Sequence, residues 1–316
     1  MKIVILDWRT MTMNNDLSTD EFHKFGEVKV YDLTKPEQTV ERIGDADAVL
    51  CNKVVISREI IDKCPNLKYI GLFATGYNNI DIDYASAKGI TVCNAGQYST
   101  NAVAQQVFAY ILDHYNRVNH YNSLVSEGKW QSSDIFSYFP IPTHEICGKT
   151  LSIFGFGSIG RAVAKIGESF GMNIIVSTRT APADCNYEVT DLFTAAEKAD
   201  VLTFHCPLND MTKGIINAGL LSKMKSSAIL INTSRGAVAV EKDLAYALNN
   251  ERIAAAYLDV LEAEPMSADT PLKNAKNCII TPHTSWAAFE TRKRLLNIVV
   301  ENLSSWIAGT PKNKVN

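Results

Sequence analysis

No extended run of lysine and arginine occurs in the 316 residues, and 31 basic against 34 acidic side chains leave a net charge of −3. Such a chain offers no electrostatic footprint for nucleic acid, which is therefore not expected as a partner. No apolar stretch reaches membrane-spanning length, so no membrane association is expected. The opening Met1–Leu6 is too short for the core of a signal sequence and runs straight into Asp7, which reads as a first strand. Seven cysteines, at positions 51, 64, 93, 147, 185, 206 and 278, are odd in number and never form a C-x-x-C pair. They read as reduced thiols, neither a disulfide frame nor a metal site, and the expected compartment is the cytoplasm. What remains, 46% hydrophobic and 21% charged, is an ordinary globular composition with room for about two domains.

The most informative stretch is Thr150–Arg161. Leu151 to Phe154 is a short apolar run suited to a buried parallel strand. Gly155, Gly157 and Gly160 follow in G-x-G-x-x-G spacing, with Ser158 and Ile159 inside the turn. Helical spacing then runs to Phe170, Gly171 ends it, and Asn173–Val176 returns as a second strand. Strand, glycine turn, helix and strand in that order make a dinucleotide-binding unit, with the helix N-terminus facing the phosphates.

Before this unit, five strands are expected at Lys2–Leu6, Val28–Asp32, Ala48–Cys51, Lys68–Phe73 and Ile90–Cys93. Helical stretches at Pro36–Ile43, Arg58–Lys63 and Tyr84–Lys88 alternate with them, as in a parallel sheet with crossover helices. This region lacks a glycine-rich phosphate loop, so it has another task. A long helix beginning at Thr100 or Asn101 follows, a natural hinge and cleft wall. Trp130–Thr143, aromatic and proline-bearing without periodicity, reads as an extended arm suited either to a dimer contact or to packing on the chain's own core.

The second region continues with apolar runs at Val201–Cys206, Ala228–Asn232, Ala254–Val260 and Cys278–Thr281, each ending in polar or small residues. Ligands bind outside the carboxyl ends of strands in such sheets, so these ends carry the candidates for chemistry. Arg235 follows one strand, Glu262 and Glu264 the next, and His283 the last. Arginine matches a carboxylate with two donors. A histidine held by a carboxylate can give or take a proton. The three together supply a carboxylate clamp, an orienter and an acid/base beside a hydride carrier. His205, before Cys-Pro, reads as structural because His283 fills the acid/base role. An amphipathic helix, Phe289–Ile307, and a polar tail complete the chain.

Gly155-Phe-Gly-Ser-Ile-Gly-Arg, His205-Cys-Pro-Leu, Asn232-Thr-Ser-Arg-Gly, Leu258-Asp-Val with Glu264-Pro, and Thr281-Pro-His stand in an order that resembles the D-isomer-specific 2-hydroxyacid dehydrogenases. Ala74-Thr-Gly-Tyr-Asn-Asn-Ile-Asp81 extends the resemblance into the first region. Cys51-Asn-Lys-Val and His283-Thr-Ser-Trp-Ala are most similar to the glycerate dehydrogenase (hydroxypyruvate reductase) branch. The resemblance implies two Rossmann-like, doubly wound parallel-sheet α/β domains with a cleft between them. A substrate domain would hold residues 1–99 and 287–316, and a dinucleotide-binding domain residues 100–286. It implies a dehydrogenase that uses NAD(H) or NADP(H) on a small 2-keto or 2-hydroxy acid, as a homodimer.

By the same resemblance His283 protonates the ketone oxygen as hydride reaches C2, and Glu264 orients it and stabilises the imidazolium. Arg235 binds the substrate carboxylate, with backbone N–H groups near Thr75 and Gly76 on its other side. Asp259 meets the nicotinamide end, while Cys206, Pro207, Thr212, Thr233 and Ser234 line the cofactor groove. Lys53 either touches the far end of a small substrate or is an ordinary loop lysine. Trp286 either walls the substrate pocket or packs the domain junction.

One position departs from the NAD-preferring pattern. The second strand ends Val176-Ser-Thr-Arg-Thr180, so Thr178 and Arg179 stand where an acidic residue would meet the ribose. A hydroxyl and an arginine suit a 2′-phosphate and favour NADP; the alternative is that Asp184 or Glu188 reaches back to the ribose. Two other readings stay open: a phosphoglycerate dehydrogenase, and a dinucleotide-sensing, corepressor-like binding protein on the same fold.

Overall fold

Short apolar strands alternating with helices build two separate parallel sheets. The computed structural model describes residues 1–180 and 182–316, which divide into two units. The first unit is Met1–Ser99 with Ala287–Asn316, and the second is Thr100–Trp286.

In the first unit, β1 (Lys2–Ile5), β2 (Glu27–Val30), β3 (Ala48–Cys51), β4 (Tyr69–Leu72) and β5 (Thr91–Cys93) form one sheet in the order β2-β1-β3-β4-β5. All its pairings are parallel. β3 and β4 are buried along their whole length, as strands covered on both faces must be. The helices are α1 (Asp20–His23), α2 (Thr39–Ile43), α3 (Arg58–Lys63) and α4 (Ile82–Ala87), the last capped by the Asp81 carboxylate on the N–H of Tyr84. The strand order reverses direction between β1 and β3, the switch point at which open sheets of this kind bind ligands.

The second unit opens with α5 (Thr100–Asn116) and α6 (Val118–Ser126), then β6 (Thr150–Phe154), α7 (Ser158–Ser169) and β7 (Asn173–Ser177). There follow β8 (Glu188–Val189), α8 (Leu192–Lys198), β9 (Val201–Phe204), α9 (Ala218–Leu221) and β10 (Ile229–Asn232). α10 (Glu241–Asn249), β11 (Ala255–Leu258) and β12 (Cys278–Ile280) complete it. The seven strands pair in parallel in the order β12-β11-β10-β9-β6-β7-β8. α5 packs by its Phe108 ring on Phe170 just beyond α7, stacked with centroids 5.6 Å apart. The chain then returns to the first unit as α11 (Phe289–Ile307), and the tail pairs Lys314 with Cys93 of β5.

The sequence reading places nothing at α6 or β8, where the structure has a helix and a two-residue strand. α6 has no buried residue, although Val118, Tyr121, Leu124 and Val125 recur within it at helical spacing. Residues 131–145 contain no helix or strand. No helix among the described residues is long and apolar enough to cross a membrane.

Candidate active site

The glycine turn after β6 is shaped by close backbone approach. Gly155 has φ +92°, and a Cβ there would lie 2.7 Å from the carbonyl of His205 at the end of β9. A Cβ on Gly160 would lie 2.2 Å from the Gly155 carbonyl oxygen, so glycine is what lets α7 sit against the turn. Gly157 differs: a Cβ there would meet nothing within 4 Å. The space beside it is open, and Gly157 caps α7 without a side chain, leaving first-turn N–H groups for an anion. This cradle fits the pyrophosphate of a dinucleotide. Ser158 and Ile159 begin α7, with Ile159 packed on the core. Thr178 and the exposed Arg179 follow β7. Asp184 pairs with Arg161 at 3.3 Å and Glu188 with Lys198 at 2.6 Å.

The loop after β9 carries Cys206, Pro207 and Thr212. Burial pushes the Cys206 thiol up to about 11, which leaves it protonated near neutral pH. Thr212 is buried; its hydroxyl donates to the Pro207 carbonyl at 2.7 Å and accepts the Asn209 N–H at 2.9 Å. It therefore acts on the groove by bracing this loop. His205 lies between Thr203 Oγ1 (3.0 Å from Nε2) and Thr233 Oγ1 (3.5 Å from Nδ1). Burial lowers its pKa to about 3, which keeps it neutral.

β10 ends in buried Asn232. Its Oδ1 accepts the N–H and the hydroxyl of Ser234, and its Nδ2 donates to the Arg235 carbonyl at 3.0 Å. This side-chain turn fixes the loop that presents the exposed Arg235. Beyond it, Gly236 abuts the next strand-end loop, for a Cβ there would lie 1.8 Å from the Leu261 carbonyl carbon. The arginine loop and the glutamate loop thus touch backbone to backbone.

On that second loop the Glu264 carboxylate faces two ways. Oε1 accepts the Leu261 N–H at 3.1 Å, and Oε2 is 2.6 Å from His283 Nδ1. Nε2 of His283 is then the ring nitrogen left for proton exchange. His283 has φ +55°, a left-handed conformation that costs a non-glycine residue about 1–2 kcal/mol. Asp259, 2% exposed, holds that turn. Its carboxylate accepts Thr281 Oγ1 (2.5 Å), the Thr284 N–H (2.8 Å) and the Ser285 N–H (2.9 Å), while its carbonyl accepts the His283 N–H (2.8 Å). Tyr110 of α5 adds a 2.5 Å contact to Thr281 Oγ1. Trp286, half-buried, closes the segment.

In the first unit, the loops after four strands are joined by side-chain hydrogen bonds. Asp7, beyond β1, accepts the N–H groups of Asn52 (2.8 Å), Lys53 (2.7 Å) and Val54 (3.3 Å). Asn79, beyond β4, donates to the Val54 carbonyl at 2.8 Å. Thr75 Oγ1 donates to the Gly96 carbonyl, and Asn94 Nδ2 donates to the Thr75 carbonyl at 2.8 Å. Lys53, Thr75 and Gly76 therefore sit on one connected rim at the carboxyl end of the first sheet. Asp7, Asn79, Asn232 and Tyr110 are absent from the sequence-based site. Only Asn232 has a local signal, a polar strand end followed by Thr-Ser-Arg-Gly.

Comparison with known proteins adds to this geometry. The NAD binding domain of D-isomer specific 2-hydroxyacid dehydrogenases matches residues 108–285. The chain belongs to the D-isomer specific 2-hydroxyacid dehydrogenase family. A hydroxypyruvate reductase of Blautia hydrogenotrophica is 43% identical to this dehydrogenase over the whole of both chains. A glycerate dehydrogenase of Methylorubrum extorquens is 37% identical over 99% of this chain and 98% of its own. Among solved structures, an acyclic imino acid reductase in complex with NADPH and D-Arg superposes with TM-score 0.87 at 30% identity, with all of both chains covered. The dehydrogenase is thus an oxidoreductase of the nicotinamide dinucleotide class, with Arg235, Glu264 and His283 on strand-end loops of its dinucleotide-binding sheet.

Proposed function

We propose that the dehydrogenase reduces hydroxypyruvate to D-glycerate or glyoxylate to glycolate. The observation that carries this reading is the 2.6 Å pairing of Glu264 and His283, on loops that follow two adjacent strands of the sheet bearing the glycine turn. The relatives named hydroxypyruvate reductase and glycerate dehydrogenase support the substrate class. The glycine turn of Gly155, Gly157 and Gly160 with the first turn of α7 would hold a dinucleotide, which would supply hydride for C2. Arg235 takes the substrate carboxylate in a charge-assisted, two-point contact and draws electron density from the adjacent carbonyl. His283 Nε2 gives its proton to the carbonyl oxygen as charge builds there, and Glu264 stabilises the imidazolium before the transfer. Thr75 and Gly76 meet the other side of the carboxylate through their N–H groups, and Lys53 meets the far end. Asp259 keeps the His283 turn in place at the nicotinamide end.

For the dinucleotide we favour NADP(H). Thr178 and Arg179 follow β7, and the acids that could substitute for an aspartate there, Asp184 and Glu188, are each engaged by a cation. A cytoplasmic homodimer is the assembly we propose. The exposed aromatics of the arm, Phe136 at 91% and Phe139 at 70%, offer an apolar surface larger in character than scattered single residues. Sedimentation of the purified protein tests the dimer.

Initial rates with hydroxypyruvate, glyoxylate and pyruvate, each with NADH and with NADPH, test the function. Rapid turnover of the first two is the expected result. Tight dinucleotide binding without turnover of any 2-keto acid would overturn it in favour of a sensor.

A further inference from the structure

One buried carboxylate of the first unit, that of Asp7, has no part in the proposed mechanism. Asp7 is 2% exposed, and its oxygens accept three successive N–H groups, those of Asn52, Lys53 and Val54, at 2.7–3.3 Å. Burial raises its pKa from the ordinary carboxylate value, against the pull of those three bonds. Burying a carboxylate is costly, and a short turn residue would satisfy a strand-end loop at lower cost. The charge sits at the switch point between β1 and β3, where a parallel sheet opens to ligands.

The same loop is held from its other side. Asn79 Nδ2 donates to the carbonyls of Val54 (2.8 Å) and Asn52 (3.5 Å). Asn52 adds a 3.1 Å bond from Nδ2 to Thr10 Oγ1. The N–H groups of Asn52, Lys53 and Val54 are therefore held by Asp7, and the carbonyls of Asn52 and Val54 by Asn79. Asn79 also lies on the β4–α4 loop that carries Thr75 and Gly76. One side chain thus links the loop proposed for the substrate carboxylate to the loop proposed for the far end.

We propose that Asp7 and Asn79 are positioning residues that form a length gauge for the 2-keto acid. They fix the separation between the Thr75–Gly76 peptide groups and Lys53, so that Lys53 selects an acid bearing a hydroxyl on C3 over one with no third carbon. Hydroxypyruvate has that hydroxyl and glyoxylate does not. The inference rests on the reading of Lys53 as a substrate-binding residue. A hydrogen bond to a charged donor is worth about 1.5–3 kcal/mol, or roughly ten- to a hundredfold in relative kcat/KM.

The test measures kcat and KM for both keto acids in wild type, Asp7→Asn, Asn79→Ala, Lys53→Met and the Asp7→Asn/Lys53→Met double variant. Thermal melts and NAD(P)H binding are run in parallel. The expected result is that each single variant loses about tenfold or more in the ratio of kcat/KM on hydroxypyruvate to that on glyoxylate. The loss falls mainly in KM, and the double variant loses no more than Lys53→Met alone. A general structural defect would instead lower both substrates together. If Lys53→Met loses the ratio while Asp7→Asn and Asn79→Ala keep it, the gauge is overturned and the reading of Lys53 stands. If Lys53→Met keeps the ratio, the reading of Lys53 fails, and the gauge with it. Should Asp7→Asn not fold, Asn79→Ala, which cuts only the carbonyl side, decides the matter.

Discussion

His283 Nδ1 stands 2.6 Å from Glu264 Oε2, while Oε1 of the same carboxylate accepts the Leu261 N–H at 3.1 Å. The backbone bond fixes the carboxylate, and the carboxylate fixes the ring, so one glutamate determines both the tautomer and the orientation of the histidine. Replacing the charge while keeping the shape separates these effects. Glu264→Gln retains a partner for Nδ1 but removes the negative charge that stabilises imidazolium. Keto acid reduction should therefore slow by roughly tenfold or more at neutral pH, with coenzyme affinity kept. A rate equal to that of wild type would remove Glu264 from the mechanism.

Arg235 leaves a different signature. Its loop is fixed by Asn232 and by the close contact of Gly236 with Leu261, to which the guanidinium adds one bond of its own, to the Ser234 carbonyl at 2.7 Å. Arg235→Ala should raise KM for the keto acid by roughly ten- to a hundredfold, the worth of a charge-assisted contact. Coenzyme affinity, measured by fluorescence titration, should stay within about twofold. An equal loss in both would mean that the arginine holds the dinucleotide rather than the acid.

Much of this site is legible in the sequence because parallel strands are short apolar runs and their ends are marked by polar residues. Arg235, Glu264 and His283 each follow such a run, and the glycine spacing names an interior strand of the sheet, β6. What is not legible is what braces them. Asp7 meets Asn52 across 45 residues, and Tyr110 meets Thr281 across 171, so no local pattern announces either contact. α6 differs, since Val118, Tyr121 and Val125 do recur at helical spacing, but over nine residues, none of them buried, the pattern is short.

Two glycines of the turn should separate by substitution. At Gly160 a methyl group would lie 2.2 Å from backbone, and at Gly157 it would enter open space. Gly160→Ala should therefore lower the melting temperature and abolish coenzyme binding together. Gly157→Ala should melt within about a degree or two of wild type yet bind NAD(P)H roughly tenfold or more weakly, because the methyl occupies the path of the pyrophosphate. Unchanged affinity in Gly157→Ala would place the phosphates elsewhere.

His205 supplies a pH test of a structural histidine. Its folded pKa of about 3 lies below the ordinary 6.5, so only the unfolded chain takes up this proton as pH falls through 6.5. The folded state is penalised progressively from there down to about pH 3, below which the loss is complete. His205→Gln cannot titrate, and its melting temperature should fall less steeply between pH 6.5 and 4 than that of wild type. Its pH–rate limb should coincide with that of wild type, because the proposed proton donor is His283. A shifted limb would show that the neutral His205 contributes to proton transfer after all.

The choice of dinucleotide turns on Arg179, exposed one residue past Thr178 at the end of β7. The two carboxylates that could otherwise meet an adenosine ribose are drawn away, Asp184 toward Arg161 and Glu188 toward Lys198. A 2′-phosphate carries charge that an arginine can meet with two donors, whereas a bare ribose hydroxyl gains little from it. Arg179→Ala should therefore weaken NADPH binding by about tenfold or more and leave NADH within about twofold. Thr178→Asp should go further and invert the preference, by repelling the phosphate and offering the ribose an acceptor. Titration of both reduced coenzymes into wild type and the two variants gives the ratio directly. If Arg179→Ala weakens both equally, the arginine meets a part common to the two dinucleotides, and the assignment to NADP falls.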